Sequence, residues 1–382
     1  MMARARRTRT WALRALACGT LLATAALGLP VQQATAAPPD PAVPLPQLLS
    51  RLQDLYQQAE VATETYDQAK EQLTQHRSQA KLLSQQLADE RIALADARDR
   101  AAQLAQQQYK NGAVSPYANL LLSDTPQDLF NQSHFLRRAA GSQAEIVAEL
   151  KNGEVRISAL SKESQHSLDS AQQLEQKQHQ AKDEIETQLA NVEKIVAGLT
   201  GTQLSELQRL EQQGIEQAQR DFIDSKQLGA SGRAPSTAGN HAIGYAYRQL
   251  GKPYVWGAEG PDSYDCSGLT SQAWASAGLA IPRTSEEQWK QLTHIPLNAM
   301  RPGDLVVYFA GATHVAIYIG DGLVIQAPRP GAVVKISPIA ANPILGAVRP
   351  DPAEASLDGY QPLAAPSGTS AATGATAPTP IG

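Results

Sequence analysis

From Leu45 onward, apolar residues recur at alternating steps of three and four. They run through Leu48, Leu52, Leu55, Ala59, Ala62, Tyr66, Ala69 and Leu73, then past His76, Ala80, Leu83, Leu87 and Glu90 to Leu94, Ala97, Ala101 and Leu104. Sustained a/d spacing of this kind predicts a coiled-coil helix, about 90 Å long at 1.5 Å per residue. Asn111-Gly112 ends it, because glycine accepts the left-handed conformation that closes helices. A connector with Pro116 and Pro126 follows, and then a second, weaker repeat from Leu136 to Leu199 that carries Gly153, Ser164 and Ser167 at core positions. Two long helices joined by a short connector predict an antiparallel hairpin. With a further helix over 205–226, this region spans 45–228.

The pattern then changes. Residues 229–240 are Gly, Ser, Pro and Thr with few apolar positions, and predict a flexible linker. Residues 241–350 predict a separate compact domain. A helix is expected at 242–250 and another from Cys266 to Ala277. Short alternating runs follow at 305–309, 315–319, 323–327, 333–336 and 346–349. Gly320-Asp321-Gly322 between two of these runs is a hairpin signal. Helices first and strands afterwards give an α+β fold with an antiparallel sheet. Residues 351–382, dominated by Ala, Pro, Ser, Thr and Gly, are expected to be a disordered tail.

The first 36 residues add a compartment. Arg4, Arg6, Arg7, Arg9 and Arg14 precede an apolar stretch from Ala15 to Leu29, and Ala34-Thr35-Ala36 fits a small-x-small cleavage site. This is the pattern of a signal peptide over 1–36, and hence of a secreted protein outside the membrane. The net charge of −4 offers no basic stripe, which argues against nucleic acid as a partner. Of two cysteines, Cys18 would leave with the signal, so Cys266 is the one thiol of the mature chain. A single thiol in a secreted protein is a reactive group, an intermolecular partner or an inert core residue.

The neighbours of Cys266 favour reactivity. Turn residues Gly260-Pro261-Asp262-Ser263 lie upstream and an apolar helical pattern lies downstream, so the thiol sits at a helix N-terminus. Backbone N–H groups and the helix dipole favour a thiolate there. A cysteine nucleophile needs a base. His76, His134, His166 and His179 lie in the predicted coiled coil, and His241 borders the linker. His294 sits in a polar stretch, whereas His314 opens a strand that would hold it rigidly. Gln326, on the next strand, could orient the imidazole, with Asp321 and Asn342 as competitors. The chain has neither Cys-x-x-Cys nor His-Glu-x-x-His, so no zinc motif is present and no cofactor is expected.

Four segments carry a resemblance. Gly251-Lys252-Pro253-Tyr254-Val255-Trp256-Gly257, Asp265-Cys266-Ser267-Gly268-Leu269, Arg301-Pro302-Gly303-Asp304-Leu305 and His314-Val315-Ala316-Ile317-Tyr318-Ile319-Gly320 are similar to the motifs of the NlpC-type peptidoglycan endopeptidases. These are papain-like cysteine peptidases of the bacterial wall, and the similarity covers 242–350. It implies cleavage of the D-γ-glutamyl–diaminopimelate bond, with Cys266 as nucleophile, His314 as base and Gln326 in the third position, where relatives usually carry His. A neutral amide there orients the ring without stabilising imidazolium as a carboxylate would. Tyr254, Asp265, Ser267 and Arg283 match substrate-facing positions, although packing and a helix start are ordinary roles for Tyr254 and Arg283. The N-terminal half is similar, more loosely, to the coiled coils of division-associated wall hydrolases. Tyr109-Lys110-Asn111-Gly112 followed by Leu120-Leu121-Leu122-Ser123 matches their elbow. That likeness implies a regulatory coiled coil whose partner is the extracellular part of the FtsEX division transporter. Two other readings stand beside the endopeptidase: a non-catalytic wall-binding or activating protein, and an amidase on the same fold.

Overall fold

The computed structural model describes residues 43–111, 126–229 and 233–360. The expected signal peptide, the elbow beyond Asn111 and the tail after residue 360 lie outside the described residues. No helix among the described residues is long and apolar enough to cross a membrane.

Two long helices, α1 (Leu45–Asn111) and α2 (Pro126–Ala197), pack along one another. The ion pairs between them run in opposite senses. Arg77 meets Glu175, Glu90 meets Arg156, Arg98 meets Glu154 and Arg100 meets Glu149. The pair is therefore antiparallel, as the spacing predicts. Its seam is made by the a/d residues: Leu52, Ala59, Ala62, Ala69, Leu73, Ala80, Leu83, Leu94 and Ala97 of α1 are buried, facing Ala171, Ala181, Ile185 and Val192 of α2. Small residues dominate this seam, so the helices approach closely and the charged flanks meet across it.

α3 (Gly201–Asp224) starts with a reciprocal cap: the Thr200 side chain accepts from Gln203 N–H while Gln203 accepts from Thr200 N–H. The sequence places this stretch with the hairpin, but in the structure it belongs equally to the C-terminal domain. Its amphipathic face ends in Phe222, which packs with Leu228 against the outer side of the sheet. Gln219 bridges the same surface, donating to Gly322 O at 3.0 Å and accepting from Ala340 N at 3.1 Å.

The C-terminal domain contains α4 (Thr237–Arg248), α5 (Cys266–Ser276) and α6 (Ser285–Gln291), then an antiparallel sheet. Its strands are β1 (Thr293–Ile295), β2 (Leu305–Tyr308), β3 (His314–Gly320), β4 (Leu323–Gln326), β5 (Lys335–Pro338) and β6 (Ile344–Arg349), in the order β1-β6-β2-β3-β4-β5. This is the α+β arrangement expected of a papain-like domain. Alternation along the strands feeds two cores. Leu305, Val307, Val315, Ile317 and Ile325 pack on α4 and α5 through Ile243, Leu269 and Trp274. Val306, Tyr308, Ala316 and Val324 face the side that Phe222 covers. The central strands are thus buried on both faces, which explains their near-continuous apolar sequence.

Two segments expected to be loose are tied down where they are described. Within 233–240, Ser236 is fully buried, caps α4 by accepting from Gly239 N–H at 2.8 Å, and bonds Asp351. Residues 351–360 are held by Arg301, whose guanidinium donates to Asp351 Oδ1 at 3.0 Å, to Asp351 O at 3.1 Å and to Glu354 O at 2.8 Å. Leu357 N–H reaches Pro235 O at 2.8 Å. Composition hides this order, because polar clamps rather than apolar burial fix both segments. Arg301→Ala strips a buried carboxylate of its cation and should cost about 3–5 kcal/mol, read as a lowered midpoint in urea denaturation of the full mature chain. A loss under about 1 kcal/mol would show that the clamp does not hold the domain's ends.

Candidate active site

Asp265 is the N-cap of α5, and its carboxylate accepts from Gly268 N–H at 2.6 Å. This fixes Cys266 as the first helical residue, as its sequence context predicts. A side chain at Gly268 is impossible, since a Cβ would lie 2.2 Å from Ala258 O. The loop carrying Tyr254 and Tyr264 can therefore press directly on the start of the helix. His314 opens β3, paired with Tyr308 of β2. Its Nε2 lies 2.6 Å from Gln326 Oε1 on β4. Carbonyl oxygen only accepts, so Nε2 carries a hydrogen, and in the neutral ring Nδ1 is left as the basic nitrogen. The Sγ of Cys266 and a ring nitrogen of His314 lie within 4.8 Å. Of the competitors for the third place, Asp321 sits in the β3–β4 turn with φ 51°, at the opposite end of β3 from His314, and Asn342 follows the short turn over Ile339–Ala341. Gln326 is the group that meets the ring.

The structure also gathers the other sequence candidates. Arg283 donates to both oxygens of Asp265, at 3.2 and 2.6 Å, and to Ser267 Oγ at 2.9 Å. Tyr254 is buried, and burial together with the nearby Cys266 raises its hydroxyl pKa well above the usual phenol range. A cavity of about 290 Å³ lined by Tyr56, Glu60, Glu211, Tyr254, Arg329 and Asn342 adjoins this group. A larger one of about 820 Å³, between α1, α3 and residues 340–347, includes none of Cys266, His314 and Gln326.

Sequence reasoning did not pick out the acids of α1 that cover the site. Beside the seam of α1 runs a second stripe, Glu60, Glu64 and Asp67, spaced by four and three. Glu60 bonds His314 Nδ1. Glu64 Oε1 accepts from Ser267 Oγ at 3.0 Å and lies 3.6 Å from Cys266 Sγ, while Oε2 accepts from Ser285 N–H at 2.8 Å, at the start of α6. Asp67 meets Arg283 at 3.3 Å. Tyr66 stacks edge-on against Trp256 at 5.1 Å, and Arg329 lies over the Tyr56 ring at 4.6 Å while its guanidinium pairs with Glu211 of α3. Cys266 is left 1% exposed and His314 0%. One signal in the sequence pointed here: like charges at 60 and 64, one helical turn apart, repel in an isolated helix and call for compensation elsewhere.

Burying these acids shifts their protonation. Burial, then the Asp265 charge, pushes Glu64 up to about 7 against the opposing pull of Ser285 and Arg283. Burial and Asp265 likewise raise Asp67. Burial, then Glu64 and Glu60, raise the Cys266 thiol well above its usual value. Burial alone would lower His314, but the charge and hydrogen bond of Glu60 outweigh it, so its pKa is raised. The covered thiol is thus held protonated and unreactive.

Comparison with known proteins agrees with the motifs. The profile of the NlpC/P60 family matches residues 251–346. A probable endopeptidase of Corynebacterium glutamicum is 37% identical over 140 residues, 37% of this chain and 66% of that protein. The probable endopeptidase p60 of Listeria monocytogenes is 45% identical over 91 residues, 23% of this chain and 19% of that protein. The matched stretch thus spans between a fifth and two thirds of these relatives. Among solved structures, RipD of Mycobacterium tuberculosis, described as a non-catalytic NlpC/p60 domain protein adapted to peptidoglycan binding, is 30% identical. The match covers 30% of this chain and 98% of that one, with a TM-score of 0.28.

The raised carboxylic acid and imidazole have one sign in common. The covered form binds more protons than an uncovered one, so covering is fully supported at low pH and weakens as pH rises from the ordinary carboxylate range through about 7. Hydrogen exchange of the Ser285 and Gly268 amides, corrected for intrinsic rates, should show protection falling between pH 5 and 8. Glu64→Gln should flatten that profile. Unchanged protection across the range would contradict the linkage.

Proposed function

Because residues 251–346 of this chain are an NlpC/P60 domain, we propose that it is a secreted cysteine endopeptidase of bacterial peptidoglycan, cutting stem peptides at the D-γ-glutamyl–diaminopimelate bond. The observation that carries the reading is the Cys266–His314–Gln326 arrangement, with the thiol at a helix start and the ring tautomer set by Gln326. In the uncovered site His314 Nδ1 takes the Sγ proton, and the thiolate attacks the scissile carbonyl carbon. The oxyanion that forms lies near the free N–H groups at the start of α5. As the intermediate collapses, His314 returns the proton to the leaving amine. Water, deprotonated by the same nitrogen, then adds to the thioester carbonyl, and Cys266 leaves as thiolate to complete the cycle. Ser267 and Arg283, which here hold the carboxylates of α1, are suited to hold a carboxylate of the stem peptide.

The long hairpin then acts as a regulator. With Glu60, Glu64 and Asp67 seated on His314, Ser267, Ser285 and Arg283, the site is closed to substrate. Opening requires α1 to move, and a partner that grips the hairpin, such as the extracellular part of the FtsEX transporter, would supply that movement. The role assigned is cell-wall remodelling and cell separation, outside the membrane.

Cys266→Ala should abolish hydrolysis of purified wall, and His314→Ala should match it, since a positioned base contributes about 10²–10⁴-fold. Gln326→Ala should lose less, because it orients the ring without moving a proton. Full activity of the Cys266 variant would sink its assignment as nucleophile, no hydrolysis by the unsubstituted, uncovered site would favour a binding protein, and fragments cut at the sugar–peptide junction would point to an amidase. Closure has its own test on a soluble stem peptide, where reach to the wall is irrelevant. Glu64→Arg sets a guanidinium against Arg283 and the start of α6. Losing a buried charged contact costs about 2–5 kcal/mol, so turnover by the full mature chain should rise at least about tenfold. Turnover equal to that of the unsubstituted chain would leave the hairpin as a spacer.

A further inference from the structure

We propose that the closed form binds a divalent transition metal of the zinc class between Glu60 of α1 and the Cys266–His314 pair, and that this metal locks the hairpin over the site. The inference rests on the closure described above and adds a ligand to it. One carboxylate oxygen of Glu60, Sγ of Cys266 and a ring nitrogen of His314 all lie within 4.8 Å of one another. Zinc bonds of about 2.3 Å to sulfur and about 2.0–2.1 Å to nitrogen or oxygen, at tetrahedral angles, place ligand atoms about 3.3–3.6 Å apart. The Glu60–His314 contact is tighter than that and the set as a whole is somewhat looser, so small side-chain adjustments reach the geometry.

Three further observations select a metal. The first is the tautomer. Gln326 accepts from Nε2–H at 2.6 Å, the outer hydrogen bond that metal-binding histidines usually make. It turns the Nδ1 lone pair inward, where it confronts the lone pairs of Glu60. In the bond the two groups make with each other a proton lies between them, and that is the position a metal can take. The second is charge. Glu60, Glu64, Asp67 and Asp265 converge on the site, and Arg283 is engaged by Asp265, Asp67 and Glu259, with no bond to Glu60 or Glu64. Four carboxylates thus meet one guanidinium and one imidazole, so a cation would enter a site rich in negative charge. The third is room. Glu60 and Tyr254 line the cavity of about 290 Å³, so a water can approach the group from its Glu60 side.

The donor set of one thiolate, one imidazole and one carboxylate suits zinc and its neighbours rather than magnesium or calcium, which prefer oxygen alone. No spacing motif could reveal it, because its members stand at positions 60, 266 and 314. On binding, the metal displaces the thiol proton to solvent and takes the place of the proton shared by Glu60 and His314. Opening removes Glu60 and leaves two protein ligands. Metal therefore favours the closed form by mass action, and its loss becomes a step in activation.

The test is titration of the full mature chain with Co²⁺ in the absence of oxygen, followed by displacement with Zn²⁺. A thiolate-to-cobalt charge-transfer band should saturate at one equivalent, vanish in Cys266→Ser, and be displaced by Zn²⁺ and not by Mg²⁺. Glu60→Gln should weaken Co²⁺ at least about tenfold, since loss even of an outer hydrogen bond costs 10–100-fold at metal sites. No band at one equivalent, or equal affinity of Glu60→Gln and the unsubstituted chain, overturns the proposal. Closure is judged separately by the metal-free turnover of Glu64→Arg. If that variant is faster while Glu60→Gln keeps full Co²⁺ affinity, the metal site fails and closure stands. If that variant is no faster, the locking role fails even where the Co²⁺ band appears.

Discussion

The contact between Asp265 and Arg283 is the one on which the rest of the site depends. The carboxylate does two tasks at once. It caps α5, which sets the position of Cys266, and it anchors a guanidinium that is 9% exposed. Arg283 in turn fixes Ser267 Oγ and presents a positive edge to whatever lies over the cleft. Without Asp265 the cation would lose its two-oxygen anchor, and the thiol would sit on an uncapped helix end. In the closed form the occupant of that positive edge is Asp67 of α1.

The hairpin uses one helix for two incompatible surroundings. Along its seam α1 offers alanine and leucine to α2, and one position round it offers carboxylates to the domain. The first contact is dry and permanent in character. The second buries charges whose desolvation cost is only partly offset by hydrogen bonds, the kind of interface that is specific without being strong. A closure built from acids rather than from leucines can be undone by moderate forces and by a change of protonation, which suits a cover better than a structural core.

The fold and the meeting of Cys266 with His314 were legible because their signals are local. Asp265-Cys266-Ser267-Gly268 places the thiol at a helix start, and His314 stands at the head of an apolar run. Gln326 was a guess on residues alone and became specific through likeness to a family. Small or polar elements escaped: β1 is Thr293-His294-Ile295, two of its three residues polar, and α6 is Ser-Glu-Glu-Gln-Trp-Lys-Gln, with little apolar pattern to read. The linker and tail read as loose because Ser236, Arg301 and Asp351 order them through polar bonds that composition does not weigh. Glu60, Glu64 and Asp67 gave only a faint signal, like charges one turn apart, for a different reason. Surface acids are ordinary on a charged helix, and their partners lie some two hundred residues away.

The length of α1 has a mechanical meaning. Glu64 lies near one end of the helix, and Asn111 stands 47 residues beyond it, about 70 Å along the axis. A sideways force at the distal tip therefore acts on the acidic contact through a lever arm several times longer than the contact itself, while thermal jostling of the near end has almost none. The seam with α2 stiffens the beam, so the torque arrives at the cleft rather than being lost in bending. A weak, distant tug on such a rod would suffice for a local rupture, and its extent would set the mechanical advantage.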